Sequence, residues 1–153
     1  MGEHILDDII VVRQTSNSEE LEEAYALRWR VLRRPWRQPK GSERDGLEES
    51  AINIIALLRG RIVGTARLHL NSDIEGQIRY MAVDEAHQHK NVGTKITKFI
   101  IQVAKDLKLK RLVLNARERA IRFYEKMGFK VIGKGELLYG EIMHWLMEYN
   151  LDG

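Results

Sequence analysis

At 153 residues, with 44% hydrophobic and 31% charged side chains, the chain has the length and composition of one globular domain with a full core. Its 25 Lys and Arg against 22 Asp and Glu leave a net charge of +3, which suits an anionic small ligand but does not point to nucleic acid. The absence of cysteine excludes disulfides, cysteine-ligated metals and a cysteine nucleophile. With no apolar run near the ~20 residues of a bilayer span and no signal-peptide pattern, a cytoplasmic protein without a membrane partner is expected.

In chain order, residues 9–13 (Ile-Ile-Val-Val-Arg) read as a first strand. Ser16 and Glu19 have capping-box spacing, and the helix they would open carries an apolar stripe of Leu21, Ala24, Leu27 and Val31. That helix ends in a basic run, Arg28, Arg30, Arg33, Arg34 and Arg37. Pro35 and Pro39 then break regular structure around Trp36, so residues 33–50 read as loop. Residues 51–58 and 62–70 are β-rich runs joined by a hairpin turn at Arg59-Gly60-Arg61. A strand over 77–83 leads through a polar turn into a long amphipathic helix. Its apolar positions Val92, Ile96, Phe99, Ile100, Val103 and Leu107 recur every three or four residues, and it ends near Lys108 to Lys110.

A short strand over 111–115 follows, then a second helix facing inward with Ala120, Ile121 or Phe123, Tyr124 and Met127, and stopped by Gly128. Residues 130–133 and 142–147 read as two closing strands connected through 133–140. There are no internal repeats or linkers. The expected structure is a single α/β domain over 1–153 with a mixed sheet, in the order β-α-β-β-β-α-β-α-β-β.

The stretch from Tyr80 to Thr94 carries the most chemistry. A strand running through a polar turn into a helix aims unpaired backbone N–H groups and the positive helix end at one point, which suits a phosphate or pyrophosphate. Asn91 and Gly93 tolerate positive φ, and Gly93 lets a ligand approach the backbone closely.

The segment Gln88-His89-Lys90-Asn91-Val92-Gly93 resembles the Gln/Arg-x-x-Gly-x-Gly/Ala loop of the GNAT superfamily of acetyl-CoA-dependent N-acetyltransferases, with Asn91 in place of the first glycine. Asn115, followed by Ala120-Ile121-Arg122-Phe123-Tyr124-Glu125-Lys126-Met127-Gly128-Phe129, is similar to the family's Asn … Ala-x-x-Phe-Tyr-x-Lys-x-Gly-Phe segment. Gly64-Thr65-Ala66-Arg67 looks like its third strand. The resemblance spans most of the chain and implies a GNAT-type mixed, mostly antiparallel sheet flanked by helices. It also implies acetyl-CoA as cofactor and direct acetyl transfer to an amine of a small molecule or peptide.

Carried over residue by residue, the resemblance makes Tyr124 the general acid toward the CoA thiolate, a task that fits a phenol with a pKa of about 10. It implies that Asn115 bonds the pantetheine arm, and that the backbone of Met81, Ala82 and Val83 pairs with it as an added half-strand. The amides of Gln88, His89, Lys90, Asn91, Val92, Gly93 and Thr94 would hold the pyrophosphate. Ala120 and Phe123 would border the cofactor, with His89, Lys90 and Lys126 toward its phosphates. Arg28, Trp29, Val31, Pro35 and Trp36 would face the acceptor.

A general base is also needed, because a lysine-like amine has a pKa of about 10.4. Gln77 stands near the place where some family members carry a Glu. His144, Glu141, His69 and Asp84 are the candidates, with His144 preferred because histidine as a residue type changes charge near neutrality and because this strand often borders the acceptor cavity in related enzymes. Two other readings compete: a non-catalytic acyl-CoA-binding module, which would not need Tyr124, and a nucleic-acid-binding protein using Arg28 to Arg37. The family resemblance also allows a homodimer through the last strands.

Overall fold

A computed structural model describes residues 9–152. Seven strands, β1 (Ile10–Gln14), β2 (Ile52–Leu58), β3 (Arg61–Leu70), β4 (Glu75–Val83), β5 (Arg111–Arg117), β6 (Lys130–Leu138) and β7 (Ile142–Asn150), form one sheet in the order β1-β2-β3-β4-β5-β7-β6. Every pairing is antiparallel except β4 with β5. Helices α1 (Ser18–Arg28), α2 (Val92–Asp106) and α3 (Ile121–Met127) complete the predicted element order. The β2–β3 hairpin turns on Arg59 (φ 54°) and Gly60 (φ 77°), both in the left-handed region that primed two-residue turns require.

The core lies between the sheet and α2, whose residues Val92, Ile96, Ile100 and Ala104 bury against Ile54, Ala56, Ala66 and Leu68. Each fully buried Ile or Leu contributes about 2 kcal/mol. Gly64 sets how closely α2 sits: a Cβ there would lie 2.6 Å from Val92 Cγ1 and 2.9 Å from Ile96 Cδ1. The helix ends at Asp106. Leu107, predicted as part of the apolar stripe, is 45% exposed, and the chain turns through Lys108 (φ 60°) to bury Leu109 instead.

Three local expectations are corrected. The α1 cap is Asn17, not Ser16: Asn17 Oδ1 accepts the Glu20 N–H at 2.8 Å, and Glu20 Oε1 accepts the Ser16 N–H at 2.8 Å. Asn17 and Glu20 have the same three-residue spacing as the predicted pair, and this frame also lets Glu20 bind Arg13 of β1 at 2.6 Å. The chain after Arg28 remains helical, as a π-turn over Trp29–Arg33 and a 3-10 turn over Arg34–Trp36, because Pro35 falls in the first turn of the latter, where no N–H is needed. Finally, β6 runs through to Leu138. Register shifts at Val131/Gly133 and Lys134/Leu137 interrupt its alternation, so a bulged strand reads as a glycine-containing connection.

The feature that makes a site is a parting of the sheet. β4 and β5 pair only over Glu75–Gln77 against Arg111–Val113, although both strands continue for several residues. Against β3, Tyr80 and Met81 together oppose Ala66, a bulge in which Tyr80 takes φ 59°. A bulky residue in that region is strained and persists only where its surroundings dictate it. Here the guanidinium carbons of Arg28, Arg67 and Arg79 stand 4.6, 4.9 and 4.9 Å from the ring centre, and the phenol reaches Asp45 Oδ2 at 3.5 Å.

Arg28 and Arg67 are themselves fully buried. Arg28 binds Glu48 at 3.1 Å and Asn53, while Arg67 binds Asp45 at 2.6 Å and Glu48 at 2.7 Å. This network fastens the segment around Asp45 and Glu48 to the sheet and holds the bulge in place.

Candidate active site

Where β4 and β5 part there is a cavity of about 590 Å³. One wall is the end of β4 with Met81 and Val83; opposite stand β5 and α3 with Asn115, Ala120, Phe123 and Tyr124. The polar turn and the start of α2 close one end with Gln88, His89, Asn91, Val92, Gly93 and Thr94. Val31, Trp36 and His144 border the other.

The turn is built for a ligand with backbone-seeking oxygens. Asn91 is left-handed (φ 64°, ψ 20°), the geometry expected of it as a glycine substitute, and its side chain makes no capping bond to α2. Gly93 is helical rather than left-handed, so φ does not require glycine there. A Cβ at Gly93 would also meet nothing closer than Phe123 Cζ at 3.4 Å. Glycine here leaves the first-turn amides of α2 uncovered toward the cavity, where an anion is favoured.

Tyr124 packs its ring edge-on against Phe123 at 4.9 Å and Phe129 at 5.6 Å, and its hydroxyl has no hydrogen-bond partner among the described residues. Burial raises its pKa, so the phenol keeps its proton at neutral pH. His144 is buried and its Nδ1 lies 3.1 Å from the Ile142 carbonyl oxygen. A carbonyl only accepts, so Nδ1 is the nitrogen that carries a proton toward it, and in the neutral tautomer this leaves the lone pair on Nε2. Asn115 Oδ1 accepts the Glu136 N–H at 3.1 Å, which ties β5 across to the β6 bulge, while its Nδ2 has no bond among the described residues.

Some predicted residues fall elsewhere. Arg28 sits on the core-facing stripe of α1 with Ala24 and Tyr25, so it belongs to the buried network and not to an acceptor wall. Trp29 donates its indole N–H to the Gln38 carbonyl at 3.0 Å and Pro35 is exposed; neither lines the cavity. The Ala82 side chain points into the core, which leaves only its backbone toward β5. Lys90 is exposed outside the cavity, and Lys126 lines a separate shallow groove with Lys98, Gln102 and Lys105.

Among the other base candidates, His69 bonds Arg67 and Asn71, and burial and Arg67 lower its pKa. Asp84 accepts the Ala86 N–H and pairs with Arg30 at 3.0 Å, and Glu141 lies on the β6–β7 turn. None of these three lines the cavity, whereas Gln77 does. Sequence reasoning missed Arg117, Glu136 and Leu138 in the lining. Arg117 had a usable signal, lying two residues beyond Asn115 and therefore on the same face of β5. The two β6 residues had none, because their strand was read as loop.

A parted sheet with an anion-ready helix terminus at one end, an imidazole at the other and an unpartnered phenol on the wall between them suits an acyl-transfer enzyme working on an elongated, phosphate-bearing carrier. Residues 20–129 match the model of the acetyltransferase (GNAT) family. The uncharacterized N-acetyltransferase YjcF of Bacillus subtilis is 30% identical over 131 residues, covering 86% of this chain and 93% of the relative.

Two solved structures share the fold. An acyl-CoA N-acyltransferase from Pseudomonas aeruginosa gives a TM-score of 0.77 at 20% identity over 92% of this chain and 98% of its own. A GNAT family acetyltransferase from Elizabethkingia anophelis with acetyl-CoA bound gives 0.73 at 20% identity, over 93% and 98%. The chain belongs to the GNAT family and is an acetyl-CoA-dependent N-acetyltransferase.

The residues present fit that cosubstrate. Beyond Gln77, β4 offers a backbone edge with no strand partner on its β5 side, as amides of an extended arm require, and the uncovered amides of α2 suit a pyrophosphate.

Proposed function

We propose that the protein moves the acetyl group of acetyl-CoA directly to the amine of a small molecule or peptide, with Tyr124 as general acid and His144 as general base. The observation that carries this reading is that an unpartnered phenol and an imidazole with its lone pair on Nε2 line the same cavity. Acetyl-CoA supplies an activated thioester. The backbone edge of β4 and the amides of Gln88 to Thr94 hold and orient it, and Met81 and Phe123 exclude water from its arm. His144 Nε2 takes the proton from the attacking nitrogen as the N–C bond forms. Tyr124 gives its proton to the sulfur as the C–S bond breaks. The imidazolium and phenolate then exchange the proton through solvent, which restores the starting state.

Free-thiol release with a panel of amines tests the reading. Tyr124→Phe should lower kcat by roughly 10²-fold or more and leave the acetyl-CoA-induced rise in melting temperature intact. A variant as fast as wild type would remove Tyr124 from the mechanism. His144→Gln should flatten the rise of kcat/KM with pH; an unchanged profile would dismiss it as base.

A further inference from the structure

Arg117 stands at the carboxyl end of β5 directly opposite His144 of β7, and both side chains line the cavity. Residues paired in this way share one face of the sheet, with Cβ atoms about 5 Å apart. The Arg117 guanidinium lies 5.5 Å from the Trp36 ring centre, and Trp36 in turn leans on Tyr139 of the β6–β7 turn at 6.3 Å. The cation is therefore steered into the acceptor end of the cavity, away from the α2 terminus.

Arg117 has no carboxylate or hydrogen-bond partner among the described residues, although burial and the neighbouring Arg119 depress its pKa. The other arginines of the lining differ. Arg79 pairs with Asp45 at 3.5 Å, Arg33 donates to the Ser42 and Leu32 carbonyls, and Arg119 is exposed. Glu136 is the sole acid of the described lining; it is exposed and forms no ion pair with Arg117. A partly desolvated guanidinium facing a cavity is stabilised by an incoming oxyanion, whose planar or tetrahedral oxygens match its fork of N–H donors.

We propose that the acceptor is a compact amine that carries its own oxyanion, a carboxylate or a phosphate a few bonds from the nitrogen, and that Arg117 is the residue that selects it. The inference rests on the acetyl-transfer reading above and narrows its substrate class. With the oxyanion held by Arg117 and the stem of the molecule against Trp36, the amine comes to rest beside His144. Polycationic amines are rejected by the same charge.

The test is a thiol-release panel in which each acid is paired with its neutral form: amino acids with their amides, aminoalkyl phosphates with amino alcohols, and a polyamine besides. Wild type should prefer one anionic set at least tenfold in kcat/KM, and the set preferred tells carboxylate from phosphate. Arg117→Gln should erase that preference through KM, with Arg117→Lys restoring part of it. Both variants should keep the wild-type thermal shift with acetyl-CoA, which shows the fold and cosubstrate site intact. Equal or better turnover of amides or polyamines by wild type, or an undiminished preference in Arg117→Gln, overturns the proposal while acetyl transfer stands. Thermal shifts with the N-acetylated products in the presence of CoA repeat the comparison without turnover. Thiol release from no amine, together with equal shifts for acid and amide products, overturns both readings.

Discussion

Asn91 shows what a single position contributes and how much of it is readable. The sequence pattern asks for glycine there. Asparagine visits the left-handed region more readily than other non-glycine residues, and it does so here at φ 64°. Because the geometry is already in place, Asn91→Gly should change acetyl-CoA affinity by less than about threefold, whereas a β-branched residue, which avoids positive φ, should weaken it far more. Calorimetric titration of the two variants decides this. A large gain from glycine would mean that asparagine distorts the turn. That Tyr124, Asn115 and His144 line one cavity was legible, because motif and strand position sufficed to bring them together. Arg28 was not, because its burial depends on the Glu43 carbonyl, the Glu48 carboxylate and the Asn53 amide oxygen, 15 to 25 positions away.

Among the elements, β6 repays closest study. A Cβ on Gly135 would sit 2.0 Å from Asn115 Oδ1 and 3.1 Å from the Leu146 amide nitrogen, so the bulge exists at the distance Asn115 requires. Gly135→Ala should cost about 1–3 kcal/mol by overpacking and reduce turnover by displacing Asn115. Most of that cost should vanish in an Asn115→Ala background, where the obstructing amide is gone. A double-mutant cycle by chemical denaturation measures the coupling, and additive effects would refute it. This element was misread because its two register shifts destroy the period-two pattern, and glycines that accommodate a bulge look like turn residues. The long α2 was read well because fifteen residues carry one unbroken apolar face.

At the scale of the whole molecule, the ion network under the sheet governs the response to acid. The Arg67 guanidinium holds the Asp45 carboxyl down to about 2, below its unfolded value of about 3.9. The pair therefore stabilises the fold above about pH 4, and this contribution fades as pH falls through about 2. Asp45→Asn should cost about 2 kcal/mol at pH 7, less than a fully buried pair because the Asp45 side chain is 26% exposed. The difference from wild type should shrink as the acid limb is approached. Parallel melting curves from pH 7 to pH 2 check this; a gap that stays constant with pH would assign the loss to packing instead.

The narrow β4–β5 junction also bears on how the chain reaches this structure. Strands β2 to β4 pair in sequence order, and β5 to β7 pair within residues 111–150, yet the two groups are joined edge to edge by three residue pairs. Short-range pairings form early because loop closure costs them little, whereas a parallel junction bridging a long helical connection comes late. The hairpin of β2 and β3 should therefore belong to the folding nucleus, and the seam should close after the rate-limiting barrier. Substitutions at Gln77 or Val113 should mainly accelerate unfolding, with φ-values near 0, while those at Ile55 or Thr65 should slow folding. High φ-values at the seam would reverse the order. With low φ-values there, the active site, which opens from that seam, is the last part of the enzyme to take shape.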